Sequence, residues 1–210
     1  MSTISARQAL ERLSEGNRRF ATGSSSTQPP GAQRRLELAG GQAPFAVILG
    51  CVDSRVPVEM VFDQGLGDLA VVRVAGNVAG PSQVASVEVA TQQLGARLVV
   101  VLGHSSCAAV RATLGWMMDG ATDSEQPMQS ILEAVRPAVE GWLPVGDRRD
   151  IGSCMERAVR SNVMHSVSQL RQDSVVLQSL IRDEGLQIVG AEYSLETGLV
   201  EFHGVDSSLA

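Results

Sequence analysis

The chain has 210 residues, of which 44% are hydrophobic, 19% charged and 3% aromatic, and its formal net charge is -6. This composition is typical of a soluble α/β domain with a sizeable core. It excludes a basic surface with stacking aromatic residues, and no apolar run approaches the roughly 20 residues that cross a bilayer, so neither nucleic acid nor a membrane is an expected partner.

The first predicted element is an amphipathic helix from about Ser5 to Phe20, with Leu10 and Leu13 among charged side chains. A loop rich in Gly, Ser and Pro follows at residues 23–31. We therefore predict an N-terminal helical arm over about 1–31. The arm could pack on its own domain or on a partner subunit, and the pattern leaves both alternatives open.

Two features of the chain predict its compartment. Charges at Arg7, Glu11 and Arg12 interrupt the apolar core that a secretory signal would need. The chain has three cysteines, and if two of them bind a metal, Cys154 remains as a lone thiol, which suits a reducing compartment. We expect a cytoplasmic protein.

Beyond residue 41, short β-rich runs alternate with helical patterns, which is typical of a parallel sheet with helices on its faces. These runs and patterns lie at 45–49, 58–62, 69–74, 82–94, 98–102 and 108–118, and further helical patterns at 128–140 and 154–184. Two final runs, 186–193 and 199–203, predict a hairpin. The predicted fold is α/β in a single domain over 1–210, with a mostly parallel central sheet, flanking helices, the N-terminal arm and a C-terminal antiparallel edge strand.

Two thiols and an imidazole follow predicted strands. Cys51 comes after the run 45–49, and His104 and Cys107 come after the run 98–102. Because ligands bind beyond the carboxyl ends of strands in an open parallel sheet, we expect these side chains to meet there. Thiolate and imidazole are ligands that Zn²⁺ selects, and three protein ligands leave a fourth position free for catalysis. Cys51, His104 and Cys107 are the predicted zinc ligands.

Asp53 is close enough to Cys51 in the chain to occupy or release the fourth zinc position. Arg55 stands two residues further on. A bidentate ion pair with Arg55 would hold the Asp53 carboxylate off the metal and leave a coordination site for water. We therefore predict Asp53 both as a fourth metal ligand and as a gate.

These residues form motifs that resemble those of the β-class carbonic anhydrases, with C-x-D-x-R at residues 51–55 and H-x-x-C at residues 104–107. The segments VVRVAGN at 71–77 and SVEVA at 86–90 are similar to the family's sequence between the two motifs. The resemblance runs from about Ala6 to Val205. Two paired motifs in the right order make it specific.

The resemblance implies a zinc lyase that hydrates carbon dioxide reversibly to bicarbonate and a proton. Asp53 and Arg55 would form its catalytic dyad. Gln64 and Gly103 are the predicted substrate-binding residues, with an exposed turn glutamine as the alternative for Gln64. The resemblance also implies a homodimer or homotetramer.

Alternative functions remain open at this stage. Some relatives hydrolyse carbonyl sulfide or carbon disulfide on the same fold and metal, and the motifs do not separate these substrates from carbon dioxide. A non-catalytic zinc-binding protein is one alternative from another class. A serine hydrolase with Ser105 as nucleophile is another, although Cys107 stands where the nucleophile elbow needs glycine.

One departure from the family concerns regulation. Some members carry a second, non-catalytic bicarbonate site built from Trp, Arg and Tyr. Arg73 and Tyr193 stand at the matching positions here, but Ile48 replaces the tryptophan. We therefore expect weak or no regulation by bicarbonate.

Overall fold

Five strands form one sheet in the computed structural model, which describes residues 4–120, 128–143 and 152–205. The strands are β1 (Ala46–Gly50), β2 (Leu69–Arg73), β3 (Leu98–His104), β4 (Gln187–Tyr193) and β5 (Val200–His203). Their order is β2-β1-β3-β4-β5, and all pairs are parallel except β4 with β5. The predicted α/β fold, with a mostly parallel sheet and an antiparallel C-terminal strand, is confirmed.

Eight α-helices accompany the sheet in the same described ranges. They are α1 (Ala6–Ala21), α2 (Ala32–Ala39), α3 (Val58–Val61), α4 (Pro81–Glu88), α5 (Ala108–Met118), α6 (Gln129–Val139), α7 (Met155–Gln172) and α8 (Val175–Glu184). A π-helical turn, Val89–Gln93, continues α4, and a 3₁₀ turn, Ala75–Asn77, follows β2. None of these helices has the length and apolarity that a bilayer crossing needs.

The helical pattern at 154–184 contains a break that the sequence analysis did not predict. Helix α7 ends at Gln172 and α8 begins at Val175. Ser174 between them has extended backbone, and its hydroxyl accepts a hydrogen bond from the Leu177 amide at 3.0 Å. Serine is a preferred N-cap residue, but the apolar periodicity continues across it and hides the break.

Helices cover both faces of the sheet, and every residue of β1 and β3 is buried. This explains why the two strands are continuous apolar runs instead of alternating ones. One face of the sheet packs against α1 and α3, and the other against α4, α7 and α8. A third apolar cluster, formed by α5, α6 and α7, encloses Cys51 and Cys107.

Helix α1 packs on its own sheet, which is one of the two alternatives for the arm. Leu10 and Leu13 are buried in the cluster that contains β1 and β3. Asn17 is also buried: its Nδ2 donates to the Val61 carbonyl at 3.1 Å, and its Oδ1 accepts from the Val200 amide at 2.8 Å. The helix is therefore joined to both α3 and β5.

One buried carboxylate, Asp63, joins α1 and the loop after it to the segment that follows α3. It accepts hydrogen bonds from Arg19 Nε at 2.5 Å and from the amides of Ser26 and Thr27 at 3.1 and 2.9 Å. Burial alone would raise the pKa of Asp63, but these hydrogen bonds hold it well below its ordinary value. Its φ of 47° lies in the left-handed region, which Asp and Asn tolerate better than most residues.

We expect Asp63→Asn to lower the free energy of unfolding at neutral pH by on the order of 2 kcal/mol, because asparagine fits the backbone but lacks the charge that Arg19 binds. The carboxylate stabilises the fold above the pKa of the unfolded chain, about 4, and this contribution is lost as the pH falls through the lower pKa of the folded state. Denaturant unfolding should therefore show a difference between the two proteins that narrows below about pH 4. A difference that stays constant from neutral to acidic pH would contradict this.

Candidate metal centre

The sheet topology brings the two predicted zinc motifs together. Cys51 directly follows β1, His104 is the last residue of β3, and Cys107 directly precedes α5. Strands β1 and β3 are parallel neighbours, while β2 lies on the other side of β1, so the strand order reverses between β1 and β3. Open α/β sheets bind ligands at such a switch point.

Cys51, His104 and Cys107 are all buried, and their potential ligand atoms lie within 4.8 Å of one another. In the described part of the chain this is the group of three acidic, cysteine or histidine residues that is close enough to hold a metal ion. The structure thus assembles the three residues that the motifs predicted, from segments about 50 residues apart in the chain.

The His104 ring is oriented by a backbone carbonyl. Its Nδ1 lies 3.0 Å from the Ser105 oxygen, and because a carbonyl can only accept, Nδ1 carries the hydrogen. The lone pair then resides on Nε2, which is buried and makes no hydrogen bond within residues 4–120, 128–143 and 152–205. A metal ligand held by its other ring nitrogen has this arrangement.

The Cys51 and Cys107 thiols shift each other's pKa. The hydrogen bond from the Cys107 thiol lowers the pKa of Cys51 to about 4, burial opposes the shift, and the amides of Asp53 and Gly76 reinforce it. The same hydrogen bond and burial raise the pKa of Cys107. One thiolate therefore forms readily, and the second proton has to leave when a cation takes its place.

The donor set fits Zn²⁺. Two sulfur atoms and one imidazole nitrogen are soft to borderline ligands, and they converge in a buried site. The imidazole nitrogen is the unpaired Nε2 of His104. Three protein ligands with room for a fourth are typical of catalytic zinc sites, whereas structural sites are closed by four.

Asp53 is paired with Arg55 and is not part of the three-residue group. Its Oδ1 accepts from the Arg55 amide and Nε at 2.9 and 3.0 Å, and its Oδ2 accepts from Arg55 Nη2 at 2.8 Å. The Oδ2 atom lies 3.9 Å from His104 Nε2. The Arg55 hydrogen bonds hold the pKa of Asp53 well below its usual range, so the side chain is an ionised acceptor. Its position on the metal stays a prediction.

Arg73 contributes to the site in a way that the sequence analysis missed. It ends β2, and its guanidinium donates to the carbonyls of Cys51 and Asp53 at 2.9 and 2.7 Å. Arg73 thus binds the backbone segment that carries the predicted ligand Cys51 and the predicted dyad residue Asp53. Its place at the end of the strand paired with β1 is a signal that could have indicated this contact.

The two predicted substrate-binding residues have structural contacts of their own. The Gln64 amide is buried; its Nε2 donates to the Phe62 carbonyl at 2.7 Å, and its Oε1 accepts from Arg12 at 2.9 Å. Gly103 lies in β3, where Val163 of α7 occupies the space that a Cβ would need. Their roles towards substrate stay predictions, and the exposed-turn alternative for Gln64 is wrong because the side chain is buried.

The serine hydrolase alternative finds no support in the contacts of Ser105. Its hydroxyl accepts from the Leu195 amide at 3.0 Å, and its own amide donates to the Tyr193 carbonyl at 2.9 Å. The adjacent His104 ring contacts the Ser105 carbonyl and not the hydroxyl. Ser105 therefore joins the segment between His104 and Cys107 to the end of β4.

Comparisons with known proteins agree with this geometry. The family model described as carbonic anhydrase matches residues 46–200. Carbonic anhydrase 2 of Mycobacterium tuberculosis is 40% identical over 190 residues, which cover 90% of this chain and 89% of the relative. The carbonic anhydrase of Pseudomonas aeruginosa is 33% identical over 189 residues, which cover 82% and 79% of the two chains.

Solved structures show the same fold. The β-carbonic anhydrase CafA of Aspergillus fumigatus aligns with a TM-score of 0.70 at 26% identity, covering 96% of this chain and 92% of that one. One of two tetrameric β-carbonic anhydrases from Sordaria macrospora aligns with a TM-score of 0.69 at 22% identity, covering 94% and 98%. From its sequence relatives, its fold and the family model that spans most of its length, the chain belongs to the β-class carbonic anhydrases, a family of lyases.

Proposed function

We propose that this protein is a zinc enzyme that catalyses the reversible hydration of carbon dioxide to bicarbonate and a proton. The observation that carries the proposal is the buried Cys51, His104 and Cys107 group beside the Asp53–Arg55 ion pair. Family membership supports the same activity.

The three ligands would hold Zn²⁺, which lowers the pKa of water enough to make hydroxide available as a nucleophile near neutral pH. Asp53 would orient the attacking water. As an ionised carboxylate it can only accept hydrogen bonds, so it fixes the direction of the water's O–H bond and therefore of the oxygen lone pair.

Arg55 would control where Asp53 lies. Its guanidinium and its amide engage both carboxylate oxygens, so these oxygens are bound to Arg55 instead of being free to bind the metal. When Arg55 releases it, Asp53 could become the fourth ligand and exclude water. We propose this alternation as the gate of the enzyme.

We also propose a cytoplasmic homodimer or homotetramer, organised as one domain. Strand β2 is one of the two edge strands of the sheet. Four of its residues are partly buried and Arg73 is exposed, which leaves its backbone groups available for a partner subunit. The Sordaria macrospora relatives are tetrameric.

The proposed activity can be tested on protein purified without chelator. Elemental analysis should find about one zinc per chain, and stopped-flow measurements should show hydration of carbon dioxide that is lost on zinc removal and restored by added zinc. Carbonyl sulfide and carbon disulfide are assayed in parallel. Turnover of either of these without carbon dioxide hydration would select the alternative substrates, and zinc without any turnover would indicate a non-catalytic protein.

We expect bicarbonate to inhibit hydration without cooperativity. Ile48 is buried in β1 and has no N–H to offer, and the Arg73 guanidinium is already bound to the carbonyls of Cys51 and Asp53. Initial hydration rates measured against bicarbonate concentration should fit a Hill coefficient of about one. Sigmoidal inhibition that is abolished by Arg73→Lys would contradict this prediction.

A further inference from the structure

A buried asparagine in α7 holds the turn that packs beside Cys51. Asn162 is 1% exposed, and its Nδ2 donates to the Gly76 carbonyl at 2.7 Å across 86 residues of sequence. Its Oδ1 is buried without a hydrogen-bond partner in the described part of the chain. An unpaired buried acceptor destabilises the folded state by about 1–3 kcal/mol. An apolar side chain would therefore be favoured at this position if the residue only filled space.

Gly76 is the residue through which Asn162 reaches the metal centre. Its φ is +68°, and a Cβ there would lie 3.1 Å from the Ala109 Cβ and 3.2 Å from Val135 Cγ2. The turn is thus confined by α5 and α6, and it has little freedom to shift. Cys51 is joined to this turn in two ways: the Val74 amide donates to the Gly50 carbonyl at 3.0 Å, and Cys51 packs in one apolar cluster with Ala75 and Val78.

We infer that Asn162 is a positioning residue for the zinc ligand Cys51: it binds the Gly76 carbonyl and thereby holds in place the turn against which Cys51 packs. This inference rests on the proposed zinc site. Groups outside the ligand set that hold a ligand in position typically contribute about 10–100-fold to metal affinity.

The experiment compares two buried asparagines. Asn162→Leu removes the contact to Gly76 and keeps the branching and the number of heavy atoms of the side chain. Asn17→Leu is the matched control, because Asn17 is similarly buried and makes hydrogen bonds to Val61 and Val200, but none to the metal centre. Zinc dissociation constants are measured on the full chain by competition with a chromophoric chelator, and the unfolding free energy of each zinc-free protein is measured beside them. Cobalt-substituted samples report the thiolate-to-metal absorption bands.

We expect Asn162→Leu to weaken zinc binding about 10-fold and to shift the thiolate-to-cobalt bands, while Asn17→Leu stays within about twofold of wild type even if it is less stable. Equal zinc affinity in the two variants, with unchanged cobalt bands, would overturn the inference. If Asn162→Leu does not fold, Asn162→Ser takes its place, because the serine hydroxyl is too short to reach Gly76. The same loss of zinc affinity, about 10-fold, is expected for it. Wild-type protein that binds no zinc would instead refute the proposed metal centre.

Discussion

Replacing Cys51 by serine is expected to remove zinc and hydration activity together. A hydroxyl is a weaker ligand than a thiolate, and Cys51 is one of the three buried residues close enough together to hold a metal ion. The loss of zinc affinity should exceed the roughly 10–100-fold that residues outside the ligand set contribute. Metal content after gel filtration and the carbon dioxide hydration rate measure the two effects.

Cys154→Ser is the control for this variant. Cys154 is also buried, but it does not belong to the three-residue group. It should keep about one zinc per chain and near wild-type activity. A Cys51→Ser protein that retains stoichiometric zinc and full turnover would show that Cys51 is not a ligand.

Asp53→Asn and Arg55→Ala should each reduce hydration about 100-fold or more while zinc stays bound. Asparagine presents an amide where a charged acceptor orients the water, and loss of Arg55 frees Asp53 to move onto the metal. Both variants should keep the folded state, because Arg55 is 57% exposed and an exposed ion pair adds little stability. Stopped-flow rates and zinc content, measured on the same samples, separate catalysis from metal binding.

The chain offers a matched control for this ion pair in α8. Arg182 binds Asp183 through Nε and Nη2, each at 3.0 Å, with the same two-point geometry as Arg55 on Asp53. Arg182→Ala should therefore leave hydration unchanged. If Arg55→Ala behaved like Arg182→Ala, the proposed dyad would be wrong.

The proposed zinc site could be predicted from the sequence because its signals are local. Cys51, Asp53 and Arg55 lie within five residues, as do His104 and Cys107, and each group follows a continuous apolar run. Such runs indicate buried parallel strands, and the carboxyl ends of parallel strands lie at one edge of a sheet. Strand order was the one further condition, and the pairing of β1 with β3 meets it.

Other features depended on contacts that no local pattern encodes. Helix α1 packs on its own sheet through Leu10 and Leu13, and Asn17 joins it to α3 and β5. The break before α8 depends on Ser174, whose hydroxyl also donates to Glu88 at 2.6 Å in α4. Apolar periodicity predicts which face of a helix is buried, but it does not predict what covers that face.

The sequence by itself determined the α/β class, the strand ends that carry chemistry and the three candidate metal ligands, since periodicity and short motifs are properties of neighbouring residues. Only the tertiary structure decided what surrounds those ligands: the Arg73 clamp on Cys51 and the Asn162 contact to Gly76. These hydrogen bonds join residues 22 and 86 positions apart. Their partners meet only after the sheet and helices have packed, because a directional bond requires the two groups to lie within about 3 Å of each other.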